Sequence, residues 1–181
     1  MTEYETIRHR VRQELARVRQ QIEGGDDSEL LVWAVPGQLA GAHRPLRYDP
    51  VYGGRRPLPP DARGAVERWV DRVIGEEEVR TVFCLATQEE LLRYDNLGLR
   101  TDGFLAYLRE RGLLVCHLPL TDPAHLPLGE GKRWKEVQLL AVQHDAVAMY
   151  PEAIRPVLVF CSGGADRSPP VIAYMMTASS G

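Results

Sequence analysis

The chain has 181 residues, enough for one domain with a full core and short for two. Apolar residues make up 44% and charged residues 26%, which excludes a disordered polyelectrolyte. The net charge of −3 offers no overall basic field, so neither nucleic acid nor an anionic membrane is an expected partner.

The first segment, residues 2–23, places Tyr4, Ile7, Val11, Leu15, Val18 and Ile22 at helical spacing and predicts an amphipathic helix packed on its own domain. Gly24-Gly25-Asp26-Asp27-Ser28 ends it. Leu30–Val35 predicts a strand stopped by Pro36-Gly37. Residues 43–60 carry Pro45, Pro50, Pro57, Pro59 and Pro60 among Arg44, Arg47, Arg55 and Arg56, the composition of an ordered loop. Asp61 is a candidate N-cap for a helix over Ala62–Ile74. Val79–Leu85 predicts a buried strand, Phe104–Arg111 a helix stopped by Gly112, and Leu113–Leu118 the next strand. A loop leads to a long helix over Trp134–Tyr150, then Val157–Phe160 predicts the last strand. Strands alternating with helices imply a single α/β domain with a central, mainly parallel sheet of four or five strands and helices on both faces. Residues 1–29 are expected as an N-terminal helix and turn, and residues 30–181 as the main domain.

Three cysteines, Cys84, Cys116 and Cys161, lie in scattered apolar runs and make no disulfide framework. The N-terminal MTEYETIRHR lacks the apolar centre of a signal peptide, and no apolar run approaches the ~18 residues that span a bilayer. A soluble cytoplasmic protein is expected. His117, His125 and His144 have no metal-ligand spacing, so neither metal nor cofactor is expected.

In such sheets ligands bind beyond the carboxyl ends of the strands. The last strand leads into Cys161-Ser162-Gly163-Gly164-Ala165-Asp166-Arg167-Ser168. Gly163 and Gly164 allow a sharp turn whose N–H groups converge into an anion nest. A helix starting near Ser168, with Pro169 and Pro170 in its first turn, adds the positive end of its dipole. A thiol there is expected to ionise below ~8.5 and act as a nucleophile. Arg167 can fold back and grip two phosphate oxygens. Ser168 can donate to the cysteine sulfur. Phosphate would sit on the 162–167 backbone, with the Asp166 side chain pointing outward.

At these residues the chain resembles the cysteine-dependent protein tyrosine phosphatase superfamily, closest to its compact dual-specificity branch, with the signature His-Cys-x-x-Gly-x-x-Arg-Ser/Thr. Cys161, Gly164, Arg167 and Ser168 match, and Phe160 stands in place of the histidine. Trp33 to Gly41, Val79 to Val82 and Leu118-Pro119-Leu120-Thr121-Asp122 also resemble family segments, so the likeness covers residues 30–178. It implies phosphomonoester hydrolysis through a cysteinyl-phosphate, with Asp122 as general acid; Asp145 and Asp166 are the rival acids. It also implies that Cys84 can trap oxidised Cys161 as a disulfide, as in some members. Family chains usually continue with one or two helices and a water-orienting glutamine, where only 14 residues follow Arg167 here (181 − 167). Phosphotyrosine, phosphoserine or phosphothreonine in a protein and small esters such as inositol phosphates remain open as substrates. A phospho-binding pseudoenzyme, motivated by Phe160, Asp166 and the short C-terminus, is the alternative from another class. A rhodanese-like sulfur or arsenate enzyme is a third, and it has no need of Asp122. The arginine-rich loop is expected to be solvated or, if it lies beside the pocket, to bind a second anionic group.

Overall fold

The computed structural model describes residues 1–179. Helix α1 (Glu3–Glu23) starts at a capping box in which Thr2 and Glu5 satisfy each other's backbone N–H groups. Strand β1 (Leu31–Val35) ends at Pro36-Gly37, where Gly37 takes a φ of +67° and the Gln38 N–H donates to Val35 O at 3.0 Å. The chain returns as β2 (Leu39–Ala42), antiparallel to β1. Helix α2 (Arg63–Gly75) and strand β3 (Thr81–Cys84) follow, then a short helix α3 (Gln88–Leu91) that runs into a 3-10 turn. Helix α4 (Phe104–Glu110) and strand β4 (Leu114–His117) come next. A helical rod begins with α5 (Gly131–Arg133), passes through a π turn over Trp134–Leu139, and continues as α6 (Leu140–Met149). Strand β5 (Val157–Phe160) and helix α7 (Ser168–Ala178) complete the domain.

The five strands stand in the order β1-β2-β5-β3-β4, and every pairing except β1–β2 is parallel. Strand β5 is therefore central, and β2, β3, β4 and β5 all end at one rim. The segments that leave that rim start at His43, Leu85, Leu118 and Cys161.

Both faces of β5 are covered, which is why VLVF is apolar without alternation. Val157 and Val159 pack with α1, α6 and α7, while Leu158 and Phe160 pack with α2 and α4. Ile7, Val11, Leu15 and Val18 of α1 lie in the first of these clusters, so the N-terminal helix is part of this core.

The structure differs from the sequence-based reading in four places. The strand that ends at Pro36-Gly37 has a partner, β2, whose residues LAGA carry little β signal. Asp61 caps nothing: it lies inside a 3-10 turn, and Ala62, without a side-chain hydrogen bond, precedes α2. The α3 segment was not expected. The long helix starts at Gly131 and contains the π turn, whose wider winding brings Trp134 and Leu139, five positions apart, to the core together.

Leu15 is 1% exposed at the α1 interface. Leu15→Ala should destabilise the domain by about 2–5 kcal/mol and move one cooperative urea transition. A shift well under 1 kcal/mol, or a separate early transition, would show that α1 is not integral to the core.

Candidate functional site

Residues 161–167 bridge β5 and α7, and the segment after β2 holds the carbonyls of Ser162 and Gly163. The Arg44 N–H donates to Ser162 O at 3.2 Å. The Tyr48 hydroxyl donates to Gly163 O at 3.0 Å, and His43 Nδ1 lies 3.1 Å from the same oxygen. Arg44 Nε also donates to Ser162 Oγ at 3.0 Å. The Gly164 N–H donates to Cys161 Sγ at 3.2 Å, and among the described residues no other N–H of residues 162–167 has an acceptor within the chain. N–H groups without an acceptor in the chain are what an anion-binding loop would use. Gly164 is required twice over: its φ is +73°, and a Cβ there would lie 2.4 Å from the His43 ring.

Arg167 is 2% exposed. Its two terminal nitrogens each donate to Glu90 at 2.7 Å, and Nη1 also donates to Leu120 O at 3.0 Å. A guanidinium has five N–H groups. Three are used here, which leaves one on Nε and one on Nη2, a fork fit for two oxygens of an oxyanion. Glu90 is itself fixed, because its carboxylate accepts from the Thr87 N–H at 2.8 Å in a second capping box. Burial opposes the charge on Glu90, but the hydrogen bonds and charge of Arg167 outweigh it and lower the carboxyl from 4.5 to about 2. Burial likewise opposes the charge on Arg167, and its bonds to Glu90, with the nearby Cys161 and Asp122, hold it more firmly protonated than usual.

Asp122 divides its two oxygens. Oδ1 accepts from the Ala124 N–H at 2.9 Å and caps a turn, while Oδ2 lies 3.6 Å from Arg167 Nη2. One oxygen positions the residue and the other faces the cleft. Asp166 is exposed and pairs with Arg12 at 3.7 Å, and Asp145 is exposed on α6 outside the cleft. The Ser168 hydroxyl is buried and makes no hydrogen bond, so the expected donation to the cysteine sulfur is not formed. Ala165, Ser162 and Gly163 line the cleft with Cys161.

Cys84 is opposite Phe160 in the β3–β5 register, and both belong to the face covered by α2. Cys161, one residue further, belongs to the other face. Both cysteines are free, and burial pushes the Cys84 thiol up to about 12. A disulfide between them requires one side chain to swing across the end of the sheet. Phe160 packs edge-on against Trp69, with ring centroids 6.4 Å apart.

His43 stands behind the loop instead. Nε2 lies 2.9 Å from Leu15 O, so both ring nitrogens face carbonyls. Burial outweighs these acceptors and lowers His43 from 6.5 to about 4. Among the described residues, no group of three or more His, Cys, Asp or Glu side chains is arranged to hold a metal ion. No helix there is long and apolar enough to cross a membrane.

Sequence reasoning missed Glu90, His43 and Tyr48. Thr87-x-x-Glu90 just after a strand was a legible capping signal; nothing local marked the other two. Comparison with protein-family models, with curated proteins and with solved structures finds no match.

Glu90→Ala leaves a buried guanidinium unpaired and should cost on the order of 3–5 kcal/mol. The acid limb of stability should change with it. His43 in the folded state resists protonation between 6.5 and about 4, and Glu90 resists it between 4.5 and about 2, so stability is lost as pH falls through these windows. Thermal melts from neutral to acid pH should show this fall, and in Glu90→Ala its steeper portion below 4.5 should be gone. An unchanged acid limb in the variant would mean that the pair is not formed.

Proposed function

We propose that the protein hydrolyses phosphomonoesters through a cysteinyl-phosphate intermediate. One observation carries this reading: Cys161, Arg167, Asp122 and the 162–166 segment, most of whose N–H groups have no acceptor in the chain, line one cleft of about 260 Å³. The amides and Arg167 would hold the three non-bridging oxygens of the substrate. The Cys161 thiolate attacks phosphorus, the S–P bond forms, and the P–O bond to the leaving group breaks in line. Asp122 gives its proton to the departing oxygen. Water then attacks phosphorus and passes a proton to the Asp122 carboxylate. The S–P bond breaks, and inorganic phosphate and the thiolate are regenerated. The Glu90–Arg167 pair and the loop amides are fixed before the substrate arrives, so little reorganisation is needed as charge develops.

The Ser168 hydroxyl, which makes no bond to the sulfur, favours a second reading in which phosphate is bound or transferred to Cys161 and not released. The two readings separate in a burst experiment with p-nitrophenyl phosphate. Continuous release of nitrophenolate, insensitive to chelator, is the expected result. A single equivalent without turnover would select the second reading. Cys161→Ser should abolish both phases and still bind inorganic phosphate. Turnover by the Ser variant at the wild-type rate would overturn the mechanism.

Asp122→Ala should lower kcat by about 10²-fold or more for alkyl phosphates, the range for a lost general acid. The loss should be smaller for p-nitrophenyl phosphate, whose leaving group needs no proton. Equal losses for both would assign Asp122 to the turn it caps and turn attention to Asp166.

A further inference from the structure

The cleft that holds Cys161 is lined on its open side by Arg47, Arg55 and Arg93, with Arg19 at its edge. Arg19 is paired with Glu23 at 2.8 Å. Among the described residues the other three form no ion pair, and their side chains donate no hydrogen bond. Arg47 Nε is buried with no partner at all. The acidic groups of the cleft are committed elsewhere: Glu90 to Arg167, Asp166 to Arg12, and Asp122 to its turn and to Arg167. A chain with a net charge of −3 has thus gathered three unneutralised guanidiniums around one small concavity. Burial lowers the basicity of Arg47 and Arg93, and the charges of Arg44 and, less, Arg55 lower both further.

Arg47 is also held in position. The guanidiniums of Arg47 and Arg19 both lie over the Tyr48 ring, with their central carbons 4.7 and 4.5 Å from its centroid. The hydroxyl of the same ring donates to Gly163 O. One side chain therefore sets both the amide loop and the neighbouring cation. Apart from Tyr48, already in contact with two guanidiniums, the described lining has no phenyl or indole ring that would flank the ring of a phosphotyrosine.

We propose that Arg47, Arg55 and Arg93 form a second anion subsite, and that the substrate is a polyol bearing at least two phosphomonoesters, one at Cys161 and another on these arginines. This rests on the phosphate-binding reading of the Cys161 loop and does not require turnover. Two sources share the chemistry: a free polyol polyphosphate and the headgroup of a phosphorylated inositol lipid.

The test is calorimetric binding to full-length Cys161→Ser protein, so that no result depends on catalysis. The probes are an inositol monophosphate, an inositol bisphosphate, phosphatidylcholine vesicles doped with the matching phosphoinositide, and a doubly phosphorylated peptide. The bisphosphate should bind about tenfold or more tightly than the monophosphate, the yield of one added charged hydrogen bond. Arg55→Gln/Arg93→Gln should collapse that ratio, and Arg55→Lys/Arg93→Lys should keep most of it. Tighter binding to the vesicles than to the soluble bisphosphate assigns the lipid source, and equal binding assigns the free polyol; both support the subsite. A ratio near one in the parent protein, a ratio indifferent to the Gln variant, or preference for the peptide overturns it. Hydrolysis of p-nitrophenyl phosphate by the wild type with no bisphosphate preference would leave the catalytic reading standing and remove this one.

Discussion

The buried pair between Arg167 and Glu90 is the constraint on which the site depends. A guanidinium at 2% exposure keeps its charge and is costly to bury without a partner, and Glu90 accepts two hydrogen bonds from it. Glu90 can do so because Thr87 fixes it at the start of α3, immediately after β3. Leu120, in the segment after β4, accepts a third N–H. Three loops that leave the same rim are thus tied to one planar cation. Parallel strands bring those loops together; the cation fixes their relative positions. Replacing the pair with apolar residues of similar volume could preserve stability, but it would remove the fork that faces Cys161.

The second constraint is the orientation of the peptide groups in residues 162–167. Amides converge only if the carbonyls have somewhere else to go, because a peptide unit turns as one plane. Arg44 and Tyr48, both in the segment after β2, donate to the Ser162 and Gly163 carbonyls. The segment after β2 therefore supports the loop from behind, as the segments after β3 and β4 support Arg167 from the side. Phe160 could not take this part: strand alternation sends its side chain to the α2 face, while the loop opens beyond the strand end.

Much of the fold was legible because its signals are local. Continuous apolar runs gave β3 and β5, and spacing of three and four gave α1. Cys161, Gly164 and Arg167 stood out because a strand exit, glycines and a helix start adjoin them. β2 was hidden because LAGA takes its burial from its neighbours Val157–Phe160 and not from its own side chains. Glu90, His43 and Tyr48 were hidden for a different reason. Their roles depend on strand order, which places β2 and β3 on either side of β5, and no local pattern encodes that order. Asp122 was expected as the general acid; in the structure one of its oxygens caps a turn and the other lies near Arg167, so the position is shown and the role is not.

The charge distribution follows from the same topology. A segment leaving β2 must cross the open rim before it reaches α2, and here it spans residues 43–62. Its arginines cannot be buried in the sheet, yet the turn at Tyr48 brings Arg47 back over the loop. Arg93 reaches the same place from the other side, one turn of helix after Glu90. Arg93 lies three residues on from Glu90, in the 3-10 turn that follows α3, and does not share that counter-ion, because Glu90 already uses both oxygens on Arg167. The cleft therefore gains positive charge at the points where the fold leaves no carboxylate to neutralise it.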